Sequence, residues 1–425
     1  MTAPADLLPT EIAETELDPY LEAMTEFEDA ARQLNLEPWI VDRLKNAERE
    51  IVLNLSYSLP GSKHSMFTGF RVLHSSVHGP ALGPLCIAPE ISLNRVRASA
   101  MKTTWQCGLL DLPFGGSSGA VLRDPDGLSE AELRTIVQTY IENMSGMISR
   151  FEDIVIPRSG CNAQLAAWMM ESCGRHGGMP DYAAVSNKPG ALWGLSSQNI
   201  AAQGLGFLLE HILADRGATI NHQRVIIQGF GSSGSAIART LAAVGARLVG
   251  LADISGALYR ADGMDLNKVD AHCRNHKMLY GFQDADDVCN ADLLEAPADI
   301  LILAAAENQI SRTNAEHIHA DIVLEMAERA ISSSAYQILS QRGILVVPEL
   351  LANATNLVAA FLEWKQGLQF CRLSQRDIRE SLQSTVEQTW RELRQFRSPD
   401  GIFNLRQKAL QLGISRVAEV VRWLT

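Results

Sequence analysis

The sequence predicts an α/β protein of two domains, and three observations carry that prediction. A short apolar run, 224–228, enters the turn Gly229-Phe230-Gly231-Ser232-Ser233-Gly234, a helix-forming stretch follows, and a second apolar run, 247–252, ends on Asp253. Three further near-continuous apolar runs, 298–305, 321–327 and 343–347, read as parallel strands buried on both faces. Upstream, Leu53, Leu55, Tyr57 and Leu59 alternate with Asn54, Ser56 and Ser58, the period of a strand with one buried face. The chain of 425 residues is long enough for two domains and a large core. One domain is therefore expected to be a doubly wound dinucleotide-binding sheet of the Rossmann type.

In chain order, residues 1–16 are expected to be mobile. Leu17, Tyr20, Leu21, Met24, Phe27 and Ala31 recur at helical spacing. The strand over 51–59 turns at Pro60-Gly61 and pairs with 66–74 as a hairpin. The stretch 103–121, TTWQCGLLDLPFGGSSGAV, follows. Its glycines predict a loop over 113–119 that brings backbone close to a ligand and displays a side chain to a cleft. Ser129 predicts an N-cap for a helix running to about residue 150, with Glu130 and Glu132 in its first turn. Residues 157–162 form a loop, AAWMMESCGRH a helix, Lys188-Pro189-Gly190 a hinge, and 199–214 another helix. Helices over 375–396 and 405–424 complete the chain.

Composition limits the function. Hydrophobic residues make up 46% and charged residues 20%, an ordinary globular balance. No apolar run approaches the ~20 residues of a transmembrane helix, and the acidic N-terminus lacks a signal-peptide layout. A net charge of −12 argues against nucleic acid or a membrane surface as a partner. Seven scattered cysteines (Cys86, Cys107, Cys161, Cys173, Cys273, Cys289 and Cys371), with no CxxC pair, suit reduced thiols in a cytoplasmic protein. His272, Cys273 and His276 sit among Asp270, Arg274, Asn275 and Lys277, a solvated helix face, so no metal site is expected. His317 and His319 read as loop or helix-end residues.

The glycine turn is the strongest chemical signal. Strand, GxGxxG, helix and an acidic residue near the expected offset of about 20 form one set. Gly229, Gly231 and Gly234 permit the tight turn and bring backbone N–H groups to a pyrophosphate at a helix N-terminus, with Phe230, Ser232 and Ser233 among the residues expected to bind the cofactor. Asp253 is placed to accept a ribose 2′-hydroxyl and to repel a 2′-phosphate, which favours NAD over NADP. The competing reading is a nucleotide-type fold whose glycines serve packing alone.

Several motifs occur together in one order: FTGFRVLHSSVHGP, TTWQ…PFGG, AAWMM, GFGxxG, AxENQI, LANA and FxEW. This set resembles the Glu/Leu/Phe/Val amino-acid dehydrogenases, of which glutamate dehydrogenase is best known. The resemblance covers nearly everything from about residue 20 onward. It implies a substrate and oligomerisation domain, 1–187 plus 355–425, and a Rossmann NAD domain, 188–354, with the segment PELLANA (348–354) returning the chain to the first domain. It also implies hexamers formed through the first domain, an interface role for the first helix, and Asn308 among the cofactor-binding residues.

The same resemblance exposes departures. The lysine of the family's GPxKGG is matched by Leu82, and a nearby arginine by Cys86. The second substrate lysine is matched by Gln106 and the reactive lysine of PFGGAKGG by Ser118. The proton-shuttling aspartate is matched by Arg158 and a late substrate-contacting serine by Ala360. An asparagine of EGANGP is matched by Glu328, and a threonine beside the cofactor by Gln203. Oxidative deamination needs a lysine of lowered pKa, a carboxylate shuttle and cations for the substrate carboxylate. General acid–base help is worth about 10²–10⁴-fold, and charge-assisted contacts contribute roughly 1.5–3 kcal/mol each. Amino-acid turnover is therefore expected to be lost; Lys102, one helical turn before Gln106, is the nearest substitute base. For Arg158 two readings stand: an anchor for an anionic effector, or a salt bridge to a nearby acid.

Three functions remain open. The chain is a non-catalytic regulatory subunit or partner that co-assembles with an active homologous dehydrogenase and responds to a small-molecule effector. Alternatively it is an active NAD-dependent oxidoreductase of altered substrate. The third is an NAD-sensing binding protein.

Overall fold

The computed structural model describes residues 18–58, 64–144, 146–396 and 404–424. The expected mobility of 1–16 and the Pro60-Gly61 turn lie outside the described residues.

The first part of the chain runs α1 (Pro19–Gln33), α2 (Pro38–Lys45), β1 (Arg49–Tyr57), β2 (Ser65–Ser75), β3 (Ala81–Ala88), α3 (Leu93–Leu109), β4 (Gly115–Leu122), α4 (Glu130–Asn143), β5 (Asp153–Pro157) and α5 (Ala163–Gly174). Its five strands form one sheet in the order β1-β2-β4-β3-β5. β1, β2 and β4 pair antiparallel, and β4, β3 and β5 pair parallel. The hairpin of β1 and β2 is as expected, and along β1 half-buried Ile51, Leu53 and Leu55 and buried Tyr57 alternate with exposed residues.

Local chemistry starts these helices. Asp18 caps α1 by accepting from the Tyr20 and Leu21 amides, and Pro19 needs no partner at the first position. Ser129 and Glu132 form a reciprocal capping box on α4. That helix stops at Asn143 rather than near residue 150, and Ser149 instead bridges to Asp153 at the start of β5.

The glycine tract departs most from expectation. Residues 115–122 are not a loop but β4, the middle strand of the sheet. The glycines are there because two neighbouring elements press on the strand. A Cβ on Gly115 would lie 1.7 Å from the Ser75 carbonyl oxygen, and one on Gly116 would lie 2.2 Å from the Thr104 amide nitrogen on α3.

The second part contains α6 (Ser197–Asp215), β6 (Arg224–Gln228), α7 (Ser232–Ala243), β7 (Arg247–Asp253), β8 (Gly256–Tyr259), α8 (Leu266–His276), β9 (Asp286–Val288), α9 (Asn290–Glu295), β10 (Ile300–Leu303), β11 (Ile322–Glu325), α10 (Ser333–Gln341) and β12 (Leu345–Val347). The sheet order is β12-β11-β10-β6-β7-β8-β9, parallel except for β8 and β9. These two antiparallel strands were not expected; each is four residues or fewer, too short for a period to show. β10 and β7 flank β6, so the chain winds in both directions from β6 and a crevice opens at the strand carboxyl ends there. The fold is the expected pair of α/β domains, the second of the Rossmann type.

α11 (Glu349–Ala352), α12 (Thr355–Gln369), α13 (Gln375–Gln395) and α14 (Leu405–Leu424) follow. α12 and α13 lie on α6, and α14 lies on α3 and α1. The segment read as a hinge is firmly held. Lys188 is buried, its ammonium 2.9 Å from Glu363 on α12, and it also donates to the Val185 carbonyl at 2.6 Å. Glu363 accepts in turn from the Asn187 and Leu195 amides. Among the described residues no helix is long and apolar enough to cross a membrane.

Candidate functional site

The crevice at β6 is built by its turn. Gly229 has φ +103, and a Cβ on it would meet the Ala304 backbone at 2.6 Å. A Cβ on Gly234 would lie 1.9 Å from the Gly229 carbonyl oxygen. These two glycines are required by the fold itself. Gly231 is different: a Cβ there would meet nothing within 4 Å. It is exposed, as are Ser232 and Ser233, and it caps α7 without any side-chain acceptor for the first-turn amides. Those uncapped N–H groups point into open space at the positive end of a helix dipole, the arrangement that receives a phosphate. Phe230 is half-buried at the edge of the core.

Asp253 ends β7 as expected, but its carboxylate already has partners. It accepts from the Ser255 amide at 2.7 Å and hydroxyl, and from the Leu279 amide at 2.9 Å. These bonds fix the carboxylate at the crevice, and an oxygen with two lone pairs keeps capacity for a ribose hydroxyl. Beside it stand exposed Ile254, Met278 and Tyr280, apolar surface suited to the flat face of a base. Asn308 is exposed with φ +53, and its amide donates to the Arg329 carbonyl at 2.9 Å. The donor set and the unfilled space at Gly231 fit a dinucleotide.

The second part of the site is a cavity of 530 Å³ between the domains, with Lys102 and Arg95 of α3 on one wall and Asn308, Glu328 and Glu349 on another. Ion pairs cross it. Arg95 pairs with Glu307 and reaches Glu328 at 3.7 Å. Lys102 pairs with Glu349 at 3.0 Å and Glu328 at 3.8 Å, and Arg329 with Glu22 at 3.4 Å. Burial pulls the Lys102 ammonium pKa down, but Glu328 and Glu349 outweigh it and hold the pKa above its ordinary value. Lys102 chiefly, with Arg95 and Arg158, holds the Glu328 carboxylate ionised against burial.

The residues matched to the family's reactive positions are mostly closed off. Ser118 is 3% exposed, in β4 opposite Val72. Leu82 and Ala360 are buried in one apolar cluster, Gln106 is buried on α3, and Gln203 is half-buried on α6. Cys86 lies half-buried on β3, where burial pushes its thiol up. Arg158 follows β5, its amide donating to the Leu85 carbonyl at 2.9 Å. The salt bridge considered for it does not form among the described residues, where no carboxylate lies within 4.0 Å of its guanidinium. His272 and His276 stack 4.3 Å apart on α8, and among the described residues no His, Cys, Asp or Glu group has the arrangement to hold a metal.

The family model described as Glutamate/Leucine/Phenylalanine/Valine dehydrogenase matches residues 194–422, and that of the Glu/Leu/Phe/Val dehydrogenase dimerisation domain matches residues 47–175. The chain belongs to this family. It is 31% identical to the catabolic NAD-specific glutamate dehydrogenase RocG of Bacillus subtilis over 96% of both chains. It is 30% identical to the NAD-specific glutamate dehydrogenase A of Halobacterium salinarum over 92% of this chain and 89% of that one. Among solved structures it resembles the hetero-hexameric glutamate dehydrogenase of Thermus thermophilus in its Leu-bound form, with a TM-score of 0.89, 29% identity and 98% and 99% of the two chains covered.

Two features of this dehydrogenase-family chain had no sequence signal. Arg71, Asp153 and Ser117 form a buried network across the first sheet, with Arg71 Nε to Asp153 at 2.7 Å and the Ser117 hydroxyl donating to Asp153 at 2.6 Å. The cleft pairs also join residues far apart in sequence, as Arg95 and Glu307 do. The motifs FTGFRVLHSSVHGP and AxENQI contain Arg71 and Glu307, but nothing in them says what either side chain would touch.

Proposed function

We propose that this chain is a non-catalytic glutamate dehydrogenase-like protein that keeps an NAD site and acts as a regulatory subunit or partner of an active homologous dehydrogenase. The observation that carries the reading is the charge state of the cleft. A base for oxidative deamination must lose a proton near neutral pH. Lys102, the lysine lining the cavity, is tied to Glu349 and Glu328 with its pKa raised, so it stays an ammonium. Ser118 is a buried hydroxyl, Arg158 offers a cation where the shuttle needs a carboxylate, and Leu82 and Ala360 present hydrocarbon where the substrate needs polar contacts.

NAD, bound at Gly229–Gly234 and Asp253, would supply a hydride acceptor; this chain's own residues would hold its pyrophosphate on the α7 amides and its ribose on Asp253. The NAD-specific relatives support that assignment. The domain limits we propose are 1–187 plus 355–425 and 188–354. The hetero-hexameric relative supports co-assembly with a second chain, and a cytoplasmic location suits the seven unpaired thiols.

The purified chain with NAD should form no NADH from glutamate, leucine, phenylalanine or valine. Capture from native extract should recover a homologous dehydrogenase. Robust turnover of any of the four would refute the proposal. Recovery of this chain alone would favour the NAD-sensing reading, which the open space at Gly231 also supports.

A further inference from the structure

The interdomain cavity carries more negative charge than its own cations balance. Six carboxylates line it, those of Glu22, Glu26, Glu307, Glu325, Glu328 and Glu349, against four cations. Each cation stands on a carboxylate of its own. Arg95 is on Glu307, Lys102 on Glu349 at 3.0 Å, Arg329 on Glu22 at 3.4 Å and Arg406 on Glu325 at 2.8 Å. Two carboxylates are left. Glu328 is reached only at 3.7 and 3.8 Å, by Arg95 and Lys102, which each stand closer to another acid. Glu26 makes no hydrogen bond or ion pair among the described residues. It lies on α1 one helical turn after Glu22, a spacing at which like charges repel. Protein surrounds it, yet it stays open to solvent where it lines the cavity. That enclosure pushes its carboxyl pKa up, with Arg406 and Lys102 acting against the rise and Glu22 and Glu325 adding to it. The cavity is separate from the positions matched to substrate chemistry: Leu82, Gln106, Ser118 and Ala360 do not line it, nor do Gly229–Gly234 and Asp253.

We propose that this cavity binds a small aliphatic diamine, one ammonium at Glu26 and the other at Glu328. Two surplus carboxylates, one on α1 of the first domain and one beyond β11 of the second, call for two separated positive charges. One divalent metal ion does not meet that need. Calcium and magnesium take six or more oxygens around a point, and among the described residues no three His, Cys, Asp or Glu side chains converge to hold a metal. An ammonium offers three donors to carboxylate oxygens. Half-buried Leu350 and Leu410 line the same cavity and give the methylene chain an apolar surface. A volume of 530 Å³ falls among small-molecule sites, roughly 300–1,000 Å³. An anionic ligand would have to take a cation from its present carboxylate. The site stands on the lining of the cavity and goes beyond the subunit reading, since it holds whether or not a dehydrogenase partner exists.

The test is calorimetric titration of the full chain, without NAD, with putrescine, cadaverine, hexamethylenediamine, butylamine, magnesium chloride and glutarate at matched ionic strength. At least one diamine should bind saturably at one site per chain, and at least tenfold more tightly than butylamine. E26Q should lose at least tenfold in affinity for that diamine, while its Tm stays level or rises because the substitution removes an unpaired, enclosed carboxylate. E328Q should also lose at least tenfold. D126N removes the same charge from the exposed turn before α4 and should bind like the parent, which separates the site from the overall charge of −12. Four results would each overturn the assignment: diamine heats no different from sodium chloride, E26Q binding the diamine like the parent, D126N losing as much as E26Q, or magnesium or glutarate binding more tightly than every diamine. Because no cofactor or partner is present, failure here leaves the turnover and capture experiments to judge the subunit reading separately.

Discussion

Gly231 and Gly234 lie three residues apart in one turn, and the structure assigns them opposite burdens. At Gly234 a methyl group would sit 1.9 Å from the Gly229 carbonyl oxygen and 2.9 Å from its carbon. Both atoms are backbone, so β6 and α7 would have to separate. Overpacking of that kind costs about 3 kcal/mol, a fall of roughly 6–12 °C in the Tm of a domain this size. At Gly231 a methyl meets no atom within 4 Å, and φ is −83, which alanine adopts freely. Reduced freedom of the unfolded chain favours alanine by about 0.4–1 kcal/mol. Glycine is the better helix cap by a similar amount, so G231A should change stability by less than about 0.5 kcal/mol. The methyl would, however, stand where a pyrophosphate must approach the α7 amides. G231A should therefore weaken NAD at least tenfold, about 1.4 kcal/mol, at unchanged stability, while G234A should unfold early. Calorimetric NAD titration and thermal unfolding of the three proteins measure both quantities. NAD binding to G231A at parental affinity would refute the argument, and so would a parent that binds no NAD.

Other measurements probe the scaffold and the cleft. E363A strips Lys188 of its partner and also orphans the Asn187 and Leu195 amides; chemical denaturation should show a loss of about 3–5 kcal/mol, and a loss below about 1 kcal/mol would contradict the picture of a pinned crossover. His74 is buried, its Nε2–H donating to the Leu44 carbonyl and its Nδ1 accepting from Thr104, and burial holds its pKa down at about 4 against an ordinary 6.5. A depressed histidine contributes stability that is complete above pH about 6.5 and lost as pH falls toward 4, up to roughly 3 kcal/mol. H74Q should flatten that part of the Tm–pH profile, and an unchanged slope would assign it to other groups. The double variant Ser118→Lys with Arg158→Asp should still turn over no glutamate in an NADH assay, because Leu82 and Gln106 leave the substrate carboxylates without cations; a strong gain would show that those positions matter less than argued.

The sequence by itself determined the parts that depend on neighbours along the chain. Strand, glycine turn, helix and Asp253 follow one another within thirty residues, so their spacing revealed the nucleotide crevice before any contact was known. The capping box at Ser129 and the alternation of β1 were legible for the same reason. What a residue touches across the fold was not. The glycines of 115–119 look the same in a loop and in a strand, and only the approach of Ser75 and Thr104 makes them a strand. Arg158 could be read from the sequence as a salt-bridge partner or as an anchor for an anion, and only the fold shows that among the described residues Glu328 and Glu349 stand beyond pairing distance. Lys188 and Glu363 lie 175 residues apart, yet their 2.9 Å contact turns a supposed hinge into a buried anchor. Ion pairing falls off steeply with distance and depends on the surrounding dielectric. Both quantities are properties of the folded chain in three dimensions, and no spacing along the sequence encodes them.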